Sequence, residues 1–384
     1  MKRKTGIIVL SIVLVLLVVA LVVSFTGHTV RENTIKIGYL GPLSGAGASW
    51  GETELKTIQI AIDEINSQGG INGKLLELIV EDGKCDGTSS TTATQKLVNI
   101  DGVKMIIGGT CSTETLAAAT ITEPKKVILI SGVSSNPQIS GLGKYIFVLT
   151  PTDEDYVKPM AEYAFTEAGY KKVAIITENT DYCLSAKNVF VEEFEKLGGK
   201  VLTTQIANPD ERDYRTFVLK IKEKNPDAII LLQQTPITGG LMAKQIKELM
   251  HETPIFGGYT LESSEAIETA QGALENALIY TLSNELLFGQ EVILKYKEKY
   301  NEDPINDALA MAAWDRVFII AQALEECGED TECIKEYIYA NKFDLSLGQY
   351  GFNTMGEIDT FYTAVYKVQN GKAIPIVSLN KVLK

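Results

Sequence analysis

Residues 104–119, KMIIGGTCSTETLAAA, place an apolar strand, a glycine turn and a hydroxyl-rich helix start in one stretch. Free N–H groups at a helix N-terminus, with the helix dipole, favour an anion, and the Ser112 hydroxyl adds a donor for a carboxylate. The same residues also read as ordinary capping, with Ser112 followed by Thr115, or Thr113 followed by Glu114 in the first turn. A second set of hydroxyls follows the run VILIS, where Ser134, Ser135 and Asn136 precede Pro137. These are common turn residues. Trp50 heads a helical stretch, either as a packing residue or as a wall of a small-molecule pocket, which aromatic rings often rim. Catalysis needs partners that these residues lack. The two histidines are His28, close behind an apolar N-terminal stretch, and His251, in a helix-to-strand loop, so Ser112 and Ser135 have no base. IIGGTCST does not fit the GxxxxGK[ST] pattern of a phosphate loop. The chemistry expected is binding without catalysis and without a cofactor.

The elements that must position these groups alternate. Ile35, Ile37, Tyr39 and Leu40 form a short apolar strand that runs into the loop GPLSGAG. From Trp50 the period becomes helical, with Leu55, Ile58, Ile62 and Ile65 on one face. Gly69, Gly70 and Gly73 end that helix, and Leu75 to Val80 begins a second strand. Further strands are expected near Met105 and over Val127–Ile130, Val173–Thr177, Val201–Gln205, Ala228–Leu232, Ile255–Gly258 and Leu278–Leu282. Helices are expected between them. Three consecutive helical patterns then fill Gly289–Asn341, and two closing strands follow near Phe361–Val368 and Ile374–Leu379. Such alternation implies parallel sheets covered on both faces, with ligands at the carboxyl ends of the strands.

Length and charge narrow the class. A chain of 384 residues fits two domains. A net charge of −13 argues against nucleic acid and against an anionic membrane surface. Lys2, Arg3 and Lys4 precede a nearly continuous Val/Ile/Leu stretch from Gly6 to Phe25. Twenty helical residues span ~30 Å, enough to cross a bilayer. The expectation is one uncleaved membrane anchor, with Thr26–Asn33 as a tether and the rest of the chain outside. The alternative is a cleaved signal, with Val22 and Ser24 before the cut.

Five cysteines fit an oxidising exterior. Cys85 and Cys111 follow strands expected to be neighbours, so a bridge between them is geometrically allowed; it would stabilise by about 3.5 kcal/mol on the chain-entropy view. Cys327 and Cys333 flank GEDTE and are expected to staple that turn, for roughly 2 kcal/mol. Cys183 is left over. No CxxC and no nearby histidine supports zinc, and no metal is expected.

GPLSG, the pair Trp50-Gly51, AIDEINSQGGINGKLLEL and VEDGKCD together resemble the branched-chain amino acid class of ABC-transporter solute-binding proteins, which are periplasmic binding proteins of type I fold. The likeness runs to the end of the chain and leaves out about the first 33 residues. It implies an α/β fold of two Rossmann-like lobes with parallel central sheets, joined by a three-stranded hinge. The segment 1–33 would precede them as the membrane helix and tether. Lobe I would comprise 34–152 and 283–355, and lobe II 153–282 and 356–384, with crossings near Thr150–Asp153, Leu282–Asn284 and Phe352–Gly356. The partners implied are a small amino-acid-like or carboxylate or amide ligand and ABC permease and ATPase subunits. An extracellular sensor handing its closed state to a signalling partner is the alternative.

The resemblance also implies the Cys85–Cys111 bridge and a set of ligand contacts. Ser112 would bind the ligand carboxylate, while Ser134 and Ser135 would offer a backbone carbonyl and a hydroxyl. Trp50, Tyr182 and Thr235 would line the cleft. Cys183 stands where relatives usually have glycine. Tyr259 stands where amino-acid-binding relatives often have an acid that pairs with the ligand ammonium. A tyrosine supplies no countercharge, and a buried ammonium without one is costly. Glu262 or Asp181 could replace it, though each also fits a solvated surface acid.

Overall fold

The computed structural model describes residues 34–282, 289–378 and 382–383. The expected anchor at Gly6–Phe25 and residues 283–288 lie outside them. No helix among the described residues is long and apolar enough to cross a membrane.

Strands β1 (Thr34–Gly41), β2 (Leu75–Asp82), β3 (Met105–Gly108), β4 (Ile128–Ser131) and β5 (Ile146–Val148) form one sheet in the order β2-β1-β3-β4-β5. Every pair is parallel. Crossovers run through α1 (Ala48–Ser67), α2 (Gly87–Asn99) and α3 (Ser112–Thr122). β3 and β4 are buried at every residue, as central strands covered on both faces must be. The chain then builds a second sheet from β6 (Lys172–Glu178), β7 (Lys200–Ala207), β8 (Ala228–Leu232), β9 (Ile255–Gly257) and β10 (Leu278–Leu282). Its helices are α4 (Asp153–Thr166), α5 (Asp181–Lys196), α6 (Arg215–Lys222), α7 (Pro236–Leu249) and α8 (Ser264–Ala270).

Helices α9 (Gln290–Tyr300), α10 (Asp307–Cys327) and α11 (Thr331–Ala340) return to the first sheet. Trp314, Val317 and Ile334 share a core there with Ile37, Ile107 and Ile130. A small hairpin follows, β11 (Phe343–Leu345) with β12 (Gly348–Tyr350). Phe352 and Ile358 are still buried in that first core, and Val148 at the end of β5 bridges to Glu357.

The chain closes with β13 (Thr360–Phe361), β14 (Thr363–Gln369), β15 (Lys372–Ser378) and β16 (Val382–Leu383). The second sheet runs β15-β14-β10-β9-β8-β6-β7. Here the expectation of purely parallel sheets is corrected, because β14 pairs antiparallel with both β10 and β15. Asn370 and Gly371 form the whole connection between β14 and β15, with φ of 53° and 70°. Two positive-φ residues make a tight hairpin, whereas a parallel return needs a long crossover.

Candidate ligand-binding site

A narrow crevice opens where the carboxyl ends of the two sheets meet. Pro42, Ser112 and Val133 reach it from loops after β1, β3 and β4. Tyr182, Thr235 and Tyr259 reach it from loops after β6, β8 and β9. This is the position that topology favours for ligands in open α/β sheets.

Trp50 is placed by the loop before it. A Cβ on Gly51 would lie 1.9 Å from the Pro42 carbonyl oxygen, so only glycine lets α1 start directly on GPLSG. Asp82 holds that loop by accepting the Leu43 N–H at 2.9 Å and the Ser44 hydroxyl at 2.6 Å. Trp50 is 6% exposed, and its indole Nε1 has no hydrogen-bond partner.

Gly108 turns the chain out of β3 with φ 142°, in contact with the Leu40 backbone. Cys111 then caps α3 and is bridged to Cys85, with Cα atoms 5.3 Å apart. The capping expectation holds for Glu114. Its carboxylate accepts backbone N–H groups of Cys85 at 3.0 Å, Thr110 at 2.9 Å and Cys111 at 3.1 Å. Burial pushes its pKa up to about 7, against the pull of those three donors. Ser112 is different: it lines the crevice, and its hydroxyl accepts the Asn136 N–H at 3.3 Å.

The two serines before Asn136 diverge. The Ser134 hydroxyl donates to the Gly109 carbonyl at 3.0 Å and meets the Thr115 hydroxyl at 2.7 Å, so it braces the neighbouring loop. The Ser135 hydroxyl is buried without a partner, while its carbonyl accepts the Asp153 N–H at 2.7 Å. Thr235 has two roles. It lines the crevice, and its hydroxyl caps α7 by accepting the Thr238 N–H at 3.4 Å. Gln234, beside it in the crevice, was not foreseen, nor was Val133. Neither residue type carries a signal that sets it apart in sequence.

Tyr259 sits at the centre of the aromatic wall. Its ring centroid is 6.0 Å from Trp50, 5.9 Å from Tyr182 and 5.6 Å from Tyr156, and its N–H donates to the Tyr156 hydroxyl at 2.8 Å. Burial raises the pKa of the Tyr259 hydroxyl, so it stays neutral.

The acids near the site separate clearly. Asp181 is exposed and accepts the Thr113 hydroxyl at 2.8 Å. Glu262 is not the solvated surface acid that its type suggested. One of its oxygens accepts Asn306 Nδ2 at 2.6 Å, the other is sheltered from water without a partner, and burial pushes its pKa up to about 7. Asp153, at the first position of α4, is fully buried near the Ser135 and Ser185 hydroxyls, with neither oxygen in a hydrogen bond of ordinary geometry. Burial lifts it to about 7 as well, with the Ser135 and Ser185 hydroxyls holding it back.

Cysteine chemistry is structural. Cys327 and Cys333 are bridged, and Cys183 is buried with its thiol pKa pushed up by burial. Cys85, Cys111 and Glu114 cluster closely enough to suggest a metal, but the two sulfurs are bonded to each other and offer no thiolate.

Elements of the two sheets are tied across the crevice. Ser49 donates to Glu265 at 2.7 Å, and Asn136 Nδ2 donates to the Asp181 carbonyl at 2.8 Å.

The family profile described as periplasmic binding protein matches residues 34–372. The chain belongs to that family. It falls in the type I, branched-chain amino acid class of ABC-transporter solute-binding proteins, which are binders and not enzymes. It is 28% identical to the leucine-, isoleucine-, valine-, threonine- and alanine-binding protein of Pseudomonas aeruginosa, over 90% of this chain and 93% of that one. A branched-chain amino acid transporter substrate-binding protein of Streptococcus pneumoniae, solved with isoleucine, is 27% identical with a TM-score of 0.81. That match covers 90% of this chain and 100% of the other. A solute-binding protein of Rhodopseudomonas palustris, solved with 3,4-dihydroxybenzoic acid, shares the fold at 21% identity and a TM-score of 0.82, covering 92% and 99%. This periplasmic binding protein therefore acts outside the cytoplasm as the solute-capturing part of a transporter.

Proposed function

We propose that the crevice captures a small amino acid or a related carboxylate or amide and presents it to an ABC permease by closure of two lobes. The observation that carries this reading is convergence. The helix terminus at Ser112 and the Pro42 and Val133 loops come from the first sheet, and the Tyr182–Tyr259 wall comes from the second, while the buried Ser135 hydroxyl lies behind the lining residues. Ser112 would take the carboxylate, Ser134 would offer its carbonyl and Ser135 its hydroxyl. Trp50, Tyr182, Thr235 and Tyr259 would enclose the rest. Relatives named for leucine, isoleucine and valine, and one solved with isoleucine, support an amino acid.

Three passages of chain would form the hinge. The first follows Thr150 and the second follows Leu282. The third would lie near Phe352–Gly356 or just beyond it, a later position being supported by Ile358 in the first core and the bridge of Glu357 to Val148. The segment Gly6–Phe25 would anchor the protein. Membrane fractionation and the mature amino terminus test this, and a start between Ser24 and Asn33 would replace the anchor with a cleaved signal.

The site is tested by titration calorimetry. Ser112→Ala and Ser135→Ala should each weaken ligand binding by about 1–3 kcal/mol with little change in stability. Normal binding by both variants would reduce those hydroxyls to caps and turns.

A further inference from the structure

Beyond Tyr259 the crevice does not end. A second, narrow space shares Trp50, Val133 and Tyr259 with the first and runs on between Thr281, Glu262 and Asn306. Three polar atoms around it lack any hydrogen-bond partner: Trp50 Nε1, Thr281 Oγ1 and one oxygen of Glu262. Thr281 is fully buried and Trp50 is 6% exposed, so water does not satisfy them from outside. Orphaned buried groups are rare because each costs about 1–3 kcal/mol, and three around one cavity describe a site built for something else.

The geometry points to a second subsite in which Glu262, with Thr281 beside it, receives an ammonium group of a ligand whose carboxylate lies at Ser112. This inference rests on the ligand class proposed above and says which member of that class binds. Glu262 and Thr281 face one another closely enough for the Thr281 hydroxyl to oppose the rise in the Glu262 pKa, though without a hydrogen bond of ordinary geometry. The other Glu262 oxygen is fixed by Asn306, so the free oxygen is held in place before any ligand arrives. Asp181 cannot serve, since it is exposed and engaged by Thr113. The countercharge missing at Tyr259 is thus supplied three residues later, in the short turn Tyr259–Glu262. Displacing the acid from the 259 position moves the ammonium past the Tyr259 ring. That favours ligands whose amine and carboxylate are separated by more than one carbon.

The test compares matched pairs on the full-length protein by titration calorimetry: leucine with 4-methylpentanoate, and 5-aminopentanoate with pentanoate. The wild type should bind 5-aminopentanoate at least tenfold tighter than pentanoate, and by a wider margin than separates the leucine pair. Glu262→Gln keeps the shape and the Asn306 contact; it should erase the amine advantage while leaving pentanoate unchanged. Thr281→Val should reduce the advantage several-fold. Ser112→Ala, in contrast, should weaken both members of each pair alike, which separates the carboxylate site from this one. An amine advantage that survives Glu262→Gln, or an equal affinity for pentanoate and 5-aminopentanoate, would overturn the subsite while leaving carboxylate capture intact. Binding of none of the four would reject both. Thermal midpoints of the variants within a few degrees of wild type confirm that a lost advantage is not lost fold.

Discussion

Buried acids in the first lobe and at the crevice differ in one respect: whether their oxygens are bonded. Glu54, fully buried under the first sheet, meets Arg316 through one oxygen and Thr110 and Tyr39 through the other. Asp315 accepts the Ser346 and Leu347 N–H groups at 2.9 Å and 3.0 Å and the Tyr350 hydroxyl at 2.8 Å. Near the crevice, both oxygens of Asp153 and one oxygen of Glu262 lack a hydrogen bond of ordinary geometry to replace water, with only the Ser135, Ser185 and Thr281 hydroxyls close by. Desolvation of a charge is tolerated where partners replace water and remains a standing penalty where they do not. The difference assigns roles. Paired acids hold α10 to α1 and β1 and to the β11–β12 hairpin, whereas Glu262 borders the space beyond Tyr259 and Asp153 is buried beside Ser135.

Mutations can break that comparison. Arg316→Met leaves Glu54 as an uncompensated buried charge and should lower stability by about 3–5 kcal/mol in urea unfolding, the largest effect expected. Retention of full stability would show that this ion pair does not hold α10 in place. Asp315→Asn replaces one acceptor by a donor facing Ser346 and Leu347, and should cost about 2–3 kcal/mol in the same assay without changing ligand affinity.

The pH dependence is shared by both kinds of acid, since burial also raises Glu114 to about 7 and Asp315 to about 6 although their oxygens are bonded. Asp153 and Glu262 are pushed up to about 7 by burial, so the folded protein holds protons that the unfolded chain releases near pH 4. Their contribution to stability is full below the unfolded value and is lost as pH rises through about 7. The ligand-free protein should therefore lose stability between about pH 5 and pH 8, by up to roughly 2–3 kcal/mol for each such acid, and Asp153→Asn should flatten that slope in part. The smallest effect belongs to the unpaired acids themselves at about pH 8. Asp153→Asn and Glu262→Gln should change stability by less than ~1 kcal/mol, or raise it, because the penalty of the charge is removed. A loss of several kcal/mol from either would place it with the structural acids.

The alternation of strands and helices was legible because parallel strands buried on both faces must be apolar throughout, as in AIILL at 228–232. Elements missed were short: β5 has three residues, and α8 has seven. The antiparallel return at Asn370-Gly371 carried a recognisable turn signal that strand alternation alone did not use. Of the residues named from sequence, Trp50, Ser112, Tyr182, Thr235 and Tyr259 line one crevice, whereas Ser134 and Ser135 are buried outside its lining. Asp153 and Glu262 were not separable from surface acids, because an acid in a helix start or a short turn looks the same whether or not the opposite lobe covers it. Burial across a cleft is a property of two distant segments, and no local pattern records it.

The central claim is that the cleft holds a small carboxylate at Ser112. A thermal-shift series of the full-length protein against small carboxylates, amides, sugars and cations tests it most directly. A ligand at a thousandfold excess over Kd should stabilise the protein by ~4 kcal/mol. The expected result is a clear shift with one or more carboxylates that Ser112→Ala diminishes. A shift with a sugar or a metal ion and none with any carboxylate would contradict the account.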